Sequence, residues 1–167
     1  NTKDVTLKCF EQIKEYIPKE AANLYFLTTL ITPFERKAII KRIKKKSNDL
    51  PNIIISTQLI EAGVDISVHT VFRALAPLDS IIQAAGRANR YNEKEEISQV
   101  FLYRIEELEK VSNRLYGTDL ISKTRNVLSG VESINENEYL NLIKSYFKEV
   151  RKQSDNYDCE YLKHLLK

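Results

Sequence analysis

The run Asn52-Ile53-Ile54-Ile55-Ser56 constrains the fold of this chain more than any other stretch. It is a continuous apolar strand, as expected in a parallel sheet covered on both faces. It passes straight into Thr57 and Gln58, then into a turn that contains Gly63 between two carboxylates, Glu61 and Asp65. A buried strand ending in polar residues and a glycine turn is how an open α/β sheet presents groups at its carboxyl edge, where its ligands bind.

The rest of the first two thirds alternates in the same way. Thr2 can cap a helix to about Tyr16, with Thr6, Cys9, Phe10, Ile13 and Ile17 on one face and Pro18 marking the end. Leu24 to Thr28 has strand composition. Thr32-Pro33-Phe34-Glu35 is a capping box with proline at the first helical position. The helix after it is expected to bury Phe34, Ala38, Ile39 and Ile43. Its other face carries Arg36, Lys37, Lys41, Arg42, Lys44, Lys45 and Lys46, read as a solvated face, with a nucleic-acid backbone as the alternative ligand. Asn48 to Asn52 is a turn around Pro51, and Val68 to Ala74 and Ser98 to Arg104 are further strands. Between them Pro77 breaks the chain, Asp79 can cap a helix, and Tyr91 to Lys94 is a polar turn. Alternating strands and helices argue a doubly wound α/β domain.

After about Ile105 the pattern turns helical: 106–115, 119–128, 137–151 and 156–166. Tyr139-Leu140, Ile143, Phe147 and Val150 give the third of these an apolar stripe. Gly130 and residues 133–137 form a polar link. Tyr139, Tyr146, Phe147 and Tyr161 are read as core packing, with a partner surface or base stacking as the alternative.

A second pattern closes the α/β part: Gln83, Gly86, Arg87 and Arg90, spaced Gln-x-x-Gly-Arg-x-x-Arg. On a continuous helix Gln83, Arg87 and Arg90 fall at i, i+4 and i+7 and share one face. Such a stripe suits a polyanion, because guanidinium stays charged and binds phosphate oxygens bidentately. Gly86 leaves room for a close approach. The plain alternative is surface charge paired with Glu93, Glu95 or Glu96.

Composition sets the outer bounds. The chain has 167 residues, 43% of them hydrophobic, enough for a core, and a net charge of +3 that permits a nucleic-acid partner without demanding one. Cys9 and Cys159 are far apart and read as free thiols of a reducing cytosol; His69 and His164 are isolated, so no metal site is expected. No membrane-length apolar run or signal peptide is present. Met is absent, even at position 1, so the chain reads as a piece of something longer.

The ordered segments resemble motifs V and VI of superfamily 2 helicases. Ser-Thr-Gln-x-x-Glu-Ala-Gly-Val-Asp at 56–65, followed by Ala-Pro-Leu-Asp-Ser-x-x-Gln-Ala-Ala-Gly-Arg-x-Asn-Arg at 76–90, is most similar to the CRISPR-associated helicase-nucleases of type I systems. Asn1-Thr2 resembles the family's motif IV, which follows a strand missing here, and 27–36 (LTTLITPFER) its next segment, although Thr28 and Thr29 replace the usual His-Ser. Ala84, where many superfamily 2 members carry Arg, fits the CRISPR-associated group. The resemblance covers roughly residues 1–105. It implies a second RecA-like helicase lobe of the P-loop-NTPase type over 1–105, lacking its first strand, and a helical extension over 106–167. Residues 116–125 (YGTDLISKTR) are weakly similar to the family's helical segment leading to a C-terminal domain.

What the resemblance implies is ATP hydrolysis coupled to movement along single-stranded DNA with 3′-to-5′ polarity, in the cytoplasm, in antiviral CRISPR interference. Arg87 and Arg90 match the arginines that reach ATP across the cleft, and Gln83 the glutamine beside the hydrolytic water. Asp65, with Gly63 and Gly86, matches the nucleotide-contacting positions; Thr57, Gln58 and Thr2 match contacts to the DNA backbone. ATP and Mg would be shared with a first lobe, and a nuclease domain and a guide-RNA surveillance complex would be partners. The chain has no Gly-x-x-x-x-Gly-Lys-[Ser/Thr] loop, no Asp-Glu-x-His box and no His-Asp nuclease centre, so by itself it is expected neither to hydrolyse ATP nor to cut DNA. Two other readings remain open: a lobe of another superfamily 2 RNA or DNA helicase, and a non-catalytic nucleic-acid-binding or scaffold module.

Overall fold

In the computed structural model, residues 2–45, 49–60, 64–91, 97–104, 106 and 109–165 are described, with 153–165 as helix backbone. The chain forms two compact units, Asn1–Ala74 with Gln83–Leu102, and Leu75–Ile82 with Tyr103–Lys167.

The first unit is built on two parallel strands, β1 (Asn23–Leu27) and β2 (Asn52–Ser56), in register from Asn23 opposite Asn52 to Leu27 opposite Ser56. The ends of the pair are tied by Asn23 Nδ2 donating to Asn52 Oδ1 at 3.0 Å and by Thr57 N–H donating to the Leu27 carbonyl at 3.3 Å. Side chains alternate across a strand, so the pair has two faces to cover. On one, Tyr25, Leu27 and Ile54 meet Ile39, Ile40 and Ile43 of helix α2 (Pro33–Lys45), together with Val64 and Ile66. On the other, Phe26 meets Phe10 of helix α1 (Lys3–Tyr16), ring centroids 5.0 Å apart. Leu27 is fully buried, a burial that contributes about 2 kcal/mol.

The helix starts follow local chemistry. Thr2 caps α1, its hydroxyl accepting from the Val5 N–H at 3.4 Å. The capping box of α2 is complete: Glu35 N–H donates to Thr32 Oγ1 at 3.2 Å, and the Glu35 carboxylate accepts from the Thr32 N–H at 3.0 Å. That backbone bond, and then the Thr32 hydroxyl, hold the Glu35 carboxyl below its usual value. The α2 core face differs from the expected one. Phe34 is 83% exposed and Ala38 is exposed, whereas Arg36 is half-buried. At about 100° per residue, Phe34 lies about 180° and Ala38 about 140° from Ile43, but Arg36 only about 20°. Cys9 likewise lies at the edge of the α1 stripe and is exposed.

Farther along, strand β3 (Thr70–Ala74) pairs with β4 (Gln99–Tyr103), both shorter than expected, and Phe72 stacks on Phe101 with centroids 5.2 Å apart. Helix α3 (Leu78–Ala85) begins one residue before Asp79, which therefore sits in the first turn instead of capping it; Ile81 N–H donates to the Pro77 carbonyl at 3.1 Å.

The second unit holds α4 (Glu109–Tyr116), α5 (Thr118–Val127) and α6 (Tyr139–Leu165). Where two helices were expected at 137–151 and 156–166, α6 is one continuous helix of 27 residues. The intervening Lys152-Gln153-Ser154-Asp155 is polar, but it contains no proline or glycine to end a helix. Its buried stripe centres on Tyr146, with Tyr139, Ile143 and Val150 half-buried; Leu140 and Phe147 fall outside it. Tyr146 is hydrogen-bonded to Thr124, and burial, then the nearby Asp79 charge, raise its phenol above the ordinary tyrosine value. Glu109 is gripped by Arg104 and, at 2.6 Å, by Arg125. The 3₁₀ turn Glu136–Glu138 leads into α6 through a second capping box, Asn135 with Glu138. No described helix is long and apolar enough to cross a membrane.

Candidate functional site

The arginine pattern is not a helical stripe. Helix α3 stops at Ala85, and Gly86 and Arg87 turn out of it through Arg87 N–H to the Ala84 carbonyl at 3.0 Å and Ala88 N–H to the Ala85 carbonyl at 2.9 Å. What ends the helix is a competing strand-like contact. Val68 N–H donates to the Arg87 carbonyl and Asn89 N–H donates to the Val68 carbonyl, both at 2.9 Å, in a parallel bridge between Val68 and Ala88. Backbone groups committed there cannot serve a helix. Asn89 takes φ 45, a left-handed conformation that Asn tolerates better than most residues. Gln83 therefore remains exposed on the last helical turn, Gly86 is exposed in the turn, and Arg87 and Arg90 lie beyond the helix.

Each arginine is nonetheless placed against the segment that follows β2. Arg87, half-buried, donates from Nε to the Ile60 carbonyl at 3.0 Å. Ile60 closes the 3₁₀ turn Gln58–Ile60, whose Ile60 N–H reaches the Thr57 carbonyl at 3.5 Å. Thr57 and Gln58 are both half-buried at this strand end. Arg90 Nε lies 3.6 Å from Asp65 Oδ1. It is paired with Asp65; the acidic residues Glu93, Glu95 and Glu96 lie outside the described residues. Gly63, Glu61, Lys46 and Asn1 also lie outside them. Thr2 serves as the α1 cap, its hydroxyl oxygen accepting from the Val5 N–H.

Two residues that the sequence reading places elsewhere, Lys44 on the solvated face of α2 and Tyr91 in a polar turn, complete this cluster. Lys44 Nζ donates to Asp65 Oδ2 at 2.8 Å, and the Tyr91 hydroxyl donates to Asp65 Oδ1. The Lys44 bond, then the Tyr91 bond, hold the Asp65 carboxyl below its ordinary value, and Asp65 in turn raises both Lys44 and Tyr91. They lie 21 and 26 positions from Asp65 in sequence, and no local spacing announces either. Chemically the cluster is an exposed array of donors around a single carboxylate, suited to an anionic ligand with several oxygens. Among the described residues, no group of three or more His, Cys, Asp or Glu side chains could hold a metal ion.

This backbone is found again in solved structures. The crystal structure of T. fusca Cas3-ATP superposes with a TM-score of 0.73 at 17% identity, over 93% of this chain and 21% of that one. That of T. fusca Cas3-AMPPNP gives 0.72 at 17% identity, over 98% and 21%. The fold class is thus α/β, with parallel strands flanked by helices. In sequence, the family model of the CRISPR-associated nuclease/helicase Cas3, C-terminal, matches residues 1–93. The chain belongs to that family. Among curated relatives, the CRISPR-associated nuclease/helicase Cas3 of Haloferax volcanii is 51% identical over 65 residues, 38% of this chain and 7% of that protein. The putative CRISPR-associated nuclease/helicase Cas3 of Methanocaldococcus jannaschii is 26% identical over 132 residues, 75% of this chain and 17% of that protein. The chain therefore spans less than a fifth of the length of either relative.

Proposed function

We propose that this chain is the second motor lobe, over residues 1–105, of an ATP-dependent translocase that moves 3′-to-5′ on single-stranded DNA during CRISPR interference, with residues 106–167 as its helical extension. The observation that carries the reading is the joining of two motif segments: Arg90 meets Asp65, and Arg87 meets Ile60. A chain that kept these residues only as surface charge would have no reason to bind each to the loop after β2. The T. fusca structures of ATP, ADP and AMPPNP forms support nucleotide as the ligand of the wider family.

In this reading ATP and Mg sit mainly on a first lobe, and bound ATP supplies the γ-phosphoryl group that is transferred to water. Arg87 and Arg90 neutralise charge on that phosphate when the lobes close, Gln83 orients the attacking water, and Asp65, Gly63 and Gly86 border the nucleotide. Thr57, Gln58 and Thr2 bond the DNA backbone without reading bases. A nuclease domain and a guide-RNA surveillance complex are the partners. The cluster around Asp65 fits a polyphosphate, since the Arg90 guanidinium and the Lys44 ammonium, which gives one of its three N–H donors to Asp65, lie at an exposed surface.

The test uses the protein that carries both lobes. Arg87→Ala is expected to lower DNA-stimulated ATP hydrolysis on the order of 10³-fold. Hydrolysis equal to the parent would refute the arginine role. Stimulation by single-stranded RNA in place of DNA would overturn the substrate assignment.

A further inference from the structure

Asp65 is shared unequally. Its Oδ2 accepts from Lys44 at 2.8 Å, its Oδ1 accepts from the Tyr91 hydroxyl, and Arg90 remains at 3.6 Å, beyond hydrogen-bond length. An arginine facing an unencumbered carboxylate closes on it bidentately through two parallel N–H donors. Here each oxygen already accepts one donor, which crowds the fork geometry that a bidentate arginine needs, and Arg90 stands at ion-pair distance. All the partners are exposed: the side chains of Lys44, Asp65 and Arg90 are 47%, 58% and 38% accessible, and Tyr91 is 44% exposed.

We propose that Lys44 and Tyr91 are positioning residues that occupy Asp65 and thereby keep Arg90 available for the phosphates of the nucleotide. This deepens the motor reading and rests on it. With Lys44 present, Arg90 can leave Asp65 without stranding an unpaired carboxylate. With Lys44 gone, the vacated Oδ2 invites a bidentate Arg90–Asp65 clamp that must break before Arg90 can reach the phosphate in the transition state. Tyr91 acts in the same sense at Oδ1. The lowered Asp65 and raised Lys44 titrations accord with a carboxylate already satisfied by its lysine.

The experiment measures steady-state ATP hydrolysis, at saturating single-stranded DNA, by the protein carrying both lobes. Lys44→Gln should lower kcat about two- to fivefold, the scale of one exposed ion pair, with KM for ATP nearly unchanged. Lys44→Arg, which keeps the cation, should retain most of the parent kcat. Tyr91→Phe should lower kcat in the same direction as Lys44→Gln. In an Asp65→Asn background, adding Lys44→Gln should change kcat no further, because the competing charge is gone. A normal kcat for both Lys44→Gln and Tyr91→Phe, a rise in KM alone, or an equal loss in the Asp65→Asn background would each overturn the proposal. Arg90→Ala separates the two levels. If it lowers kcat strongly while the Lys44 and Tyr91 variants do not, only the positioning role fails. If it leaves kcat unchanged, the arginine reading fails, and this proposal with it.

Discussion

The guanidinium of Arg87 donates from Nε to the backbone carbonyl of Ile60 at 3.0 Å, linking a turn after α3 to the turn after β2. That bond uses the geometry of arginine as well as its charge. Arg87→Lys is therefore expected to keep a cation but lose its orientation, giving DNA-stimulated ATP hydrolysis between the parent and Arg87→Ala. Turnover measured on the three proteins side by side checks this; lysine matching the parent would show that charge alone suffices.

The core face of α2 makes a prediction opposite to the one its composition suggests. Phe34→Ser should change stability by less than about 0.5 kcal/mol, because Phe34 is 83% exposed. Ile43→Ala, at a buried position, should cost about 2–4 kcal/mol. Urea unfolding of the two variants decides it, and a larger loss at Phe34 would contradict the observed face.

The α2 cap is a local device with a local cost. Thr32→Ala removes the oxygen that accepts from the Glu35 N–H and should lower stability by about 1 kcal/mol. Thr32→Ser, which retains the hydroxyl, should recover most of it in the same urea titration.

Acid should weaken the fold through its hydrogen-bonded carboxylates, Asp65, Glu109 and Glu35 among them. Asp65 is held low by Lys44 and then Tyr91, Glu109 by Arg104, and Glu35 by the Thr32 backbone. A carboxylate whose folded pKa is depressed contributes stability that is present above its unfolded value, about 4, and is lost as pH falls through the lower folded value. Urea midpoints should thus drop from neutral pH to about pH 3, and Glu109→Gln should flatten that dependence. A midpoint independent of pH in this range would contradict the pairing.

Much of the architecture was written in short stretches. Thr2 and Thr32 announce their helices because a cap needs only a hydroxyl and an N–H a few residues on. The run 52–56 announces a parallel strand because continuous apolar side chains need cover on both faces; the strand forms and pairs with β1, with Ile53–Ser56 half-buried and not fully buried. The ordered motif segments point to the helicase lobe, and the family match agrees with them.

Periodicity misplaced the arginines because it assumes that the helix continues. At Ala88 the backbone is claimed by Val68, twenty positions earlier, and no local pattern encodes that competitor. The same limit hid Lys44 and Tyr91, whose partner Asp65 is distant in sequence but adjacent in space. The sequence by itself determined which residues carry charge, which runs must be buried and where helices begin, since those depend on near neighbours. Only the tertiary structure decided where α3 ends and which side chains share one carboxylate, since those depend on backbone and side-chain groups that chain folding brings together from far apart.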